Sequence, residues 1–180
     1  MPSDQRKNLS ARKKFAAGEK KSRHAMEEFG PGKGEFILCP KDDAVYYKKS
    51  WHHASDFFGR APNMKKEKEI RFRLCPVHEM MKNKQYEGEV IVQDVPEQFF
   101  GELGRLVENM GKQAQEEDVT TRVLSLDARA GVLRITTSEN QLAQKIARKI
   151  ERVFRKHIQK TNIMRGKSGD NITIRINFHS

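Results

Sequence analysis

The chain is short of cysteine, with only Cys39 and Cys75 among its 180 residues. Two thiols cannot form the disulfide framework of a small secreted protein, so we expect the reducing cytoplasm. The sequence also lacks any apolar run close to the roughly 18 residues that cross a bilayer. Its charged first residues do not contain the apolar core of a signal peptide. We therefore expect a cytoplasmic protein that does not enter a membrane.

Acidic residues are scarce relative to basic ones. The chain has 35 lysines and arginines against 24 aspartates and glutamates, which gives a net charge of +11. The isoelectric point is about 9.7 and the mean hydropathy is -0.81. Nucleic acid is the first partner to consider, because each neutralised phosphate releases counterions. A solvated, lysine-rich surface is the alternative interpretation.

Residues 1–34 contain many cations and few large apolar side chains. Such a segment cannot bury enough surface to offset its ordering entropy. We predict a basic arm that is disordered in isolation and orders on phosphate, with a solvated tail as the alternative. The cluster Gly30-Pro-Gly-Lys-Gly34 ends the arm as a linker.

Two short segments, each containing Leu-Cys-Pro, hold both cysteines. In each segment a second metal-binding residue type follows the cysteine at the third position, giving the pairs Cys39-x-x-Asp42 and Cys75-x-x-His78. Cysteine and histidine suit Zn²⁺, and carboxylate is a weaker but acceptable ligand. We predict a zinc-ribbon-like module over residues 35–84 with one structural zinc ion.

Two alternatives to this ligand set stay open. His52 or His53 could replace Asp42 as the fourth ligand. Alternatively, the two cysteines could be buried at strand ends without any metal.

A basic and aromatic segment follows the first pair. It contains Tyr47, Lys48, Lys49 and Trp51, and Trp51 is the only tryptophan of the chain. Aromatic rings among cations can stack on unpaired bases. We expect these four residues to contact RNA, unless Trp51 instead packs in the core of the module.

Residues 85–180 alternate between strand and helix periodicity. We predict strands at 87–95, 121–127, 131–137 and 172–178, and helices from Pro96 to about Met110 and from Ser138 to about His157. Asn162 and Ile163 could add an edge strand. The order β-α-β-β-α-β predicts an α+β, ferredoxin-like domain.

The second predicted helix carries charge of one sign along one face. At 100° per residue, the side opposite this charged face is apolar and consists of Leu142, Ile146, Ile150, Val153 and Phe154. Like charges four residues apart repel, so a polyanionic partner explains an unmixed stripe better than a solvated face does. We predict phosphate contacts from the whole stripe, which consists of Lys145, Arg148, Lys149, Arg152, Arg155 and Lys156.

No combination of residues indicates catalysis. The segment Arg165-Gly-Lys-Ser-Gly169 resembles the end of a phosphate loop, but the upstream glycine spacing and the strand–loop–helix order are absent. We therefore expect a protein that is not an enzyme, and an enzyme acting on RNA is the weakest alternative.

The stretch Cys39-Pro-Lys-Asp-Asp-Ala-Val-Tyr-Tyr-Lys-Lys-Ser-Trp-His52 resembles a little-characterised family of small bacterial Cys-Pro-x-Cys proteins. The stretch Ile135–Ala147 is similar to the family's strand–helix junction, so the resemblance spans about residues 36–178. The family's cysteine pairs look like the zinc modules of the archaeal and eukaryotic large-subunit export adaptor. Where the family has the second cysteine of each pair, this chain has Asp42 and His78.

The resemblance implies a ribosome-associated or RNA-associated role. Together with the basic charge, it leads us to expect an RNA-binding protein whose partner is ribosomal RNA. A protein-binding adaptor that docks through its α+β domain is the alternative.

Overall fold

The computed structural model describes residues 36–55, 70–166 and 171–179. The basic arm predicted over residues 1–34 lies outside the described residues. Within them, the chain forms two sheets, and three helices are described.

The first sheet and a short helix form the module that contains both cysteines. Its strands lie in the order β3-β2-β1-β4, with β1 and β4 parallel and the other neighbours antiparallel. The elements are β1 (Phe36–Leu38), β2 (Ala44–Tyr47), β3 (Ser50–His53), β4 (Ile70–Phe72) and α1 (Pro76–Asn83).

The apolar runs Phe36-Ile-Leu and Ala44-Val-Tyr-Tyr predict two short strands, and both are confirmed as β1 and β2. The segment 63–73 mixes lysine and glutamate with few apolar residues, which predicts a loop or short helix. Residues 70–72 form β4 instead, while 63–69 lie outside the described residues. β4 forms because it pairs with β1, more than thirty residues earlier in the sequence. Local periodicity cannot reveal a pairing of that kind.

β2 and β3 are joined by a tight hairpin whose two central residues are Lys48 and Lys49. Both have positive φ angles, 48° and 68°, and Tyr47 pairs with Ser50 across the turn. Two consecutive left-handed residues characterise the type I′ turn, which matches the twist of the strands and usually contains asparagine or glycine. The turn leaves both lysines exposed at the tip of the hairpin.

The second part of the chain has the predicted order of elements, with one long additional strand. The five strands lie in the order β6-β7-β5-β9-β8. The elements are β5 (Gly88–Gln93), α2 (Glu97–Glu117), β6 (Val123–Arg129), β7 (Val132–Thr137), α3 (Asn140–Val153), β8 (Ile158–Arg165) and β9 (Ile172–Phe178).

The exact ferredoxin-like arrangement is not found. The edge strand expected at residues 162 and 163 is the eight-residue β8, which pairs antiparallel with β9. Because β8 reverses the chain before β9 enters the sheet, β9 runs parallel to β5. In a ferredoxin-like sheet the last strand runs antiparallel to the first, so the domain is α+β with a different final hairpin.

The boundaries of the two long helices differ from those expected. α2 continues through Gly111 to Glu117. α3 begins after Glu139 and ends at Val153, with Phe154 as its C-cap. Ser138 does not cap it, because the Ser138 hydroxyl donates to the carbonyl of Thr120 at 2.9 Å instead.

α2 and α3 cover one face of the five-stranded sheet and enclose its core. α3 packs over β5, β9 and β7, and α2 packs over β6 and against α3. The buried side chains alternate along the strands, as in Ile172, Ile174 and Ile176 of β9. The opposite face is polar, and there the Arg134 Nε donates to Glu89 Oε1 at 2.6 Å.

The module packs against the segment between α2 and β6. Val119 belongs to the same buried cluster as Tyr46, Trp51 and Val77, and Leu124 packs beside it. The Nε2 of His53 also lies 2.7 Å from the carbonyl oxygen of Gln115, near the end of α2. The two parts of the chain therefore share a small apolar core.

Across the described part of the chain, no helix combines the length and the apolarity needed to cross a membrane.

Gly88 offers a test of how closely α3 approaches the sheet. A Cβ at Gly88 would lie 2.3 Å from Thr137 Oγ1 and 2.6 Å from the Ala143 Cβ. We expect Gly88→Ala to destabilise the fold by about 1–3 kcal/mol, because the helix must move away from β5. Urea denaturation followed by circular dichroism measures the change.

Gly104→Ala is the matched control. A Cβ at this position in α2 meets nothing within 4 Å, and alanine is favoured over glycine in a helix by up to about 1 kcal/mol. We expect this variant to be at least as stable as the wild type. Equal stability of the two variants would contradict the close packing at Gly88.

Candidate metal centre

The turn between β1 and β2 places the first pair of candidate ligands. The amide of Cys39 donates to the carbonyl of Ala44 at 2.9 Å, which closes the turn. The Oδ1 of Asp42 accepts a hydrogen bond from the amide of Ala44 at 3.1 Å. These bonds fix the Asp42 carboxylate and direct its other oxygen, Oδ2, towards the second pair.

The first turn of α1 places the second pair. Cys75 is the N-cap and Pro76 occupies the first helical position, where its missing amide hydrogen costs nothing. His78 lies three residues after Cys75, so one helical turn brings both side chains to the same side of the helix. The second pair therefore belongs to a helix start and not to a turn between strands, unlike the first pair.

The four ligand atoms converge. One atom from each of Cys39, Asp42, Cys75 and His78 lies within 4.8 Å of the others. The Nδ1 of His78 is 3.1 Å from Cys75 Sγ, 3.5 Å from Cys39 Sγ and 3.6 Å from Asp42 Oδ2. The distance from Cys75 Sγ to Asp42 Oδ2 is 3.9 Å.

These separations suit a tetrahedral metal ion. Zinc bonds of about 2.3 Å to sulfur and 2.0–2.1 Å to nitrogen or oxygen require ligand atoms roughly 3.3–3.8 Å apart. The four separations given above, 3.1–3.9 Å, bracket that range, and all four ligand atoms lie within 4.8 Å of one another. Both cysteines are buried. The four residues lie close enough to bind a metal ion, as the spacing of the two pairs predicts.

The side chain of Arg122 joins this cluster from the α+β domain. Its Nη2 donates to Asp42 Oδ2, and its Nε donates to the carbonyl of Val119 at 3.1 Å. Both charged side chains are largely buried. Arg122 therefore neutralises the carboxylate and fixes it to the loop before β6.

The surroundings shift the proton affinities of three of the four candidate ligands. Burial raises the pKa of Cys75 to about 12, and the nearby charge of Asp42 adds to the effect. Burial lowers the pKa of His78, helped by the charges of Arg122 and Lys41. Burial would raise the pKa of Asp42, but hydrogen bonds from Cys39 and Ala44 and the charge of Arg122 lower it. The imidazole is therefore neutral at neutral pH, which is the form that binds metals.

The alternative ligands His52 and His53 lie outside the cluster. The Nε2 of His52 is 2.7 Å from the hydroxyl of Ser50. The Nδ1 of His53 is 3.1 Å from Asp43 Oδ2, and its Nε2 faces the carbonyl of Gln115. The geometry therefore favours Asp42 as the fourth ligand.

Only some of the four module residues that are expected to contact RNA are accessible to solvent. Trp51 is 6% exposed and lies in the core of the module against Tyr46, so the packing interpretation describes it. The ring of Tyr47 stacks on Phe36 with centroids 4.9 Å apart. Lys48 and Lys49 are exposed at the hairpin tip.

The cationic residues expected on a single helix occupy α3 and the turn after it. Lys145, Arg148, Lys149 and Arg152 lie on α3, whereas Arg155 and Lys156 follow its C-cap. Lys149 is half-buried and the other five are exposed. Val153, expected on the apolar side, is 44% exposed.

Two residues were missed by sequence reasoning. Arg122 lies 80 positions from Asp42, and nothing in the local sequence indicates their pairing. Phe72 is 71% exposed on the edge strand β4, between Arg71 and Arg73. The alternation Arg-Phe-Arg could have indicated an exposed aromatic among cations.

No family model matches the chain, and no curated protein or solved structure was found to be similar to it. The resemblance to the Cys-Pro-x-Cys family therefore stays a prediction that rests on its motifs.

The high pKa of Cys75 makes metal binding depend on pH. Because the thiol is protonated at neutral pH, a metal ion must displace that proton to bind the thiolate. We expect the apparent affinity for Zn²⁺ to rise by at least about tenfold per pH unit between about pH 6 and pH 8. Competition with a chromophoric chelator at several pH values measures it, and a flat profile would contradict thiolate binding at this site.

Proposed function

We propose that this chain is an RNA-binding, ribosome-associated protein whose small module is held together by a structural zinc ion. It grips phosphates through its basic arm and through the cations of α3, and it is not an enzyme. The observation that carries the RNA proposal is the distribution of charge along residues 140–166.

This segment, which runs from α3 to the end of β8, has eight cations and one carboxylate, Glu151. Seven of the cations are exposed and Lys149 is half-buried. Among the described residues, none of the eight forms an ion pair within 4 Å. Surface charges normally mix signs, so an unneutralised set of this size supports a polyanionic partner.

The neighbouring helix shows that the bias is local. α2 has five glutamates and only two cations, Arg105 and Lys112. The two helices lie side by side on one face of the sheet. A generally lysine-rich surface would not leave one helix acidic and the next basic, so the solvated-surface alternative explains this pattern less well.

The donor set supports zinc as the metal. Two thiolates and an imidazole are ligands that Zn²⁺ prefers, and a carboxylate completes the four. Zn²⁺ with two thiolates and one carboxylate carries a net charge of -1, which the guanidinium of Arg122 cancels. Four protein ligands leave no open position for a substrate, so the ion would be structural.

Phe72 supplies the exposed aromatic that the buried Trp51 does not. It lies on β4 between Arg71 and Arg73, and it pairs with Leu38 of β1. A base could stack on this ring, with the neighbouring guanidinium groups near its phosphates.

A protein-binding adaptor is the second candidate. The edge strand β8 is eight residues long, and its Ile163 and Met164 are exposed. A partner could add a strand along this edge. The cations Lys160 and Arg165 on the same strand are typical of edges protected against pairing, which favours RNA as the partner.

The zinc proposal predicts about one zinc ion per chain in protein purified without added metal. We expect Cys75→Ser and His78→Ala to lose the ion and to unfold the module, since a structural zinc ion stabilises the fold directly. Elemental analysis and thermal denaturation measure the two effects.

His52→Ala is the matched control, because His52 bonds to Ser50 outside the cluster. It should retain the zinc ion. Wild-type protein without bound metal would refute a zinc centre. Loss of zinc from His52→Ala but not from His78→Ala would show that His52, and not His78, is the ligand.

The ribosome proposal predicts co-sedimentation with a ribosomal subunit in lysate at low salt and release at high salt, because phosphate contacts weaken as counterions accumulate. Sucrose-gradient sedimentation with detection of this protein measures it. Nuclease treatment should move the protein to the top of the gradient. Co-sedimentation with one protein that survives both salt and nuclease would favour the adaptor.

A further inference from the structure

The hairpin between β2 and β3 holds two lysines in a backbone conformation that lysine disfavours. Lys48 and Lys49 have φ angles of 48° and 68°. In this left-handed region a side chain crowds its own backbone, so asparagine and glycine normally occupy the two central positions of such a turn. Two consecutive lysines therefore weaken the turn that joins the strands.

The other left-handed residues have a local reason for their conformation. Lys84 is the C-cap of α1, where its amide bonds to two carbonyls of the helix and a cation is favourable. The hairpin between β6 and β7 turns through Ala130 and Gly131, so a glycine takes the second position. Asp94 belongs to a residue type that tolerates this region. Within the described residues, only the β2–β3 turn places two long side chains at consecutive left-handed positions.

No described contact within the module accounts for the two lysines. Both Lys48 and Lys49 are exposed, and among the described residues neither forms an ion pair within 4 Å. The Nζ of Lys48 lies 5.5 Å from the centroid of the Tyr47 ring, and such a contact is weak at an exposed site. Asp42 and Asp43 precede β2, whose four residues separate them from the tip by roughly 13 Å. The positive charge at the tip is therefore free to meet a partner.

The aromatic rings beside the tip are engaged inside the module. Trp51 is buried against Tyr46. The ring of Tyr47 has Phe36 stacked on it and the ammonium of Lys48 over it. A base could stack on these rings only by displacing those contacts. What the tip presents is two ammonium groups, which act as point charges and bind phosphates without reading the bases.

We infer that the tip of the β2–β3 hairpin binds backbone phosphates of RNA, and that the strained turn follows from keeping a lysine at both central positions. This inference rests on the proposed RNA-binding function and adds a surface on the module to the cations of α3. Backbone strain of this kind persists where a functional site requires it. Because the contact is to phosphates, the tip should bind paired and unpaired RNA alike.

The test replaces both lysines in the full chain with the residues that the turn prefers, Lys48→Asn with Lys49→Gly. Fluorescence anisotropy across a salt series measures binding to an RNA duplex of about 20 base pairs and to an oligouridylate of about 20 nucleotides. We expect the affinity for both RNAs to fall by about tenfold or more, and the log–log salt slope to become shallower by about 0.7–0.9 per lost contact. We expect the melting temperature to rise by about 2 °C or more, because the turn is relieved.

Three controls separate charge, strain and position. Lys48→Gln with Lys49→Gln removes the same charge without relieving the turn, so it should lose the same affinity at a nearly unchanged melting temperature. Ala130→Asn relieves the β6–β7 hairpin and should raise the melting temperature while it retains the RNA affinity of the wild type. Arg105→Gln with Lys112→Gln removes two charges from α2 and should retain most of the affinity.

The remaining outcomes distinguish this inference from the function on which it rests. Steeply salt-dependent RNA binding that the tip variants leave unchanged would sustain RNA binding and refute the tip as a contact. Equal losses in the tip variants and in the α2 control would refute a specific contact in favour of a general charge effect. A loss confined to the oligouridylate would refute phosphate contact in favour of base contact. Absence of wild-type binding to either RNA would refute both proposals.

Discussion

The ion pair between Asp42 and Arg122 connects the two parts of the chain. Asp42 lies in the turn that holds the first candidate ligand pair, and Arg122 lies in the loop that leads into β6. Removing one partner from such a buried pair leaves an uncompensated charge, at a cost of about 3–5 kcal/mol. Val119 and Leu124 add apolar contacts between the two parts of the chain. One carboxylate thus belongs both to the metal cluster and to the contact that, with the shared apolar core and the His53–Gln115 hydrogen bond, positions the module.

A metal ion at this cluster would stabilise the fold of the module and would not take part in catalysis. The module has three- and four-residue strands and an eight-residue helix, so its own core is small. Small units of this kind usually need a metal or a disulfide to be stable. The α+β domain has a core of seventeen buried residues and does not depend on the ion in the same way. This division leaves α3 and β8 free to contact a partner whatever the state of the module.

Much of the fold and of the candidate site could be predicted from the sequence, but only those features that depend on residues close together in the chain. Spacing within Cys39-x-x-Asp42 and Cys75-x-x-His78 was enough to predict the cluster, because each pair lies in one turn of the chain. The alternation of Ile172, Ile174 and Ile176 was enough to predict β9, but its direction depends on the hairpin with β8. Arg122, β4 and the burial of Trp51 depend on pairings between distant segments, which no short pattern contains.

Arg122 also bears on the unusual ligand pairs of this chain. The pattern that the sequence resembles has four cysteines, and four thiolates around Zn²⁺ carry a net charge of -2. Zn²⁺ bound by the two cysteines, Asp42 and His78 would instead carry a net charge of -1, which the buried guanidinium of Arg122 would cancel. A buried site with no net charge avoids most of the desolvation cost of an isolated ion. The guanidinium of Arg122 therefore balances the carboxylate of Asp42 without an ion, and it would also balance the net charge of -1 of a centre with Zn²⁺ bound.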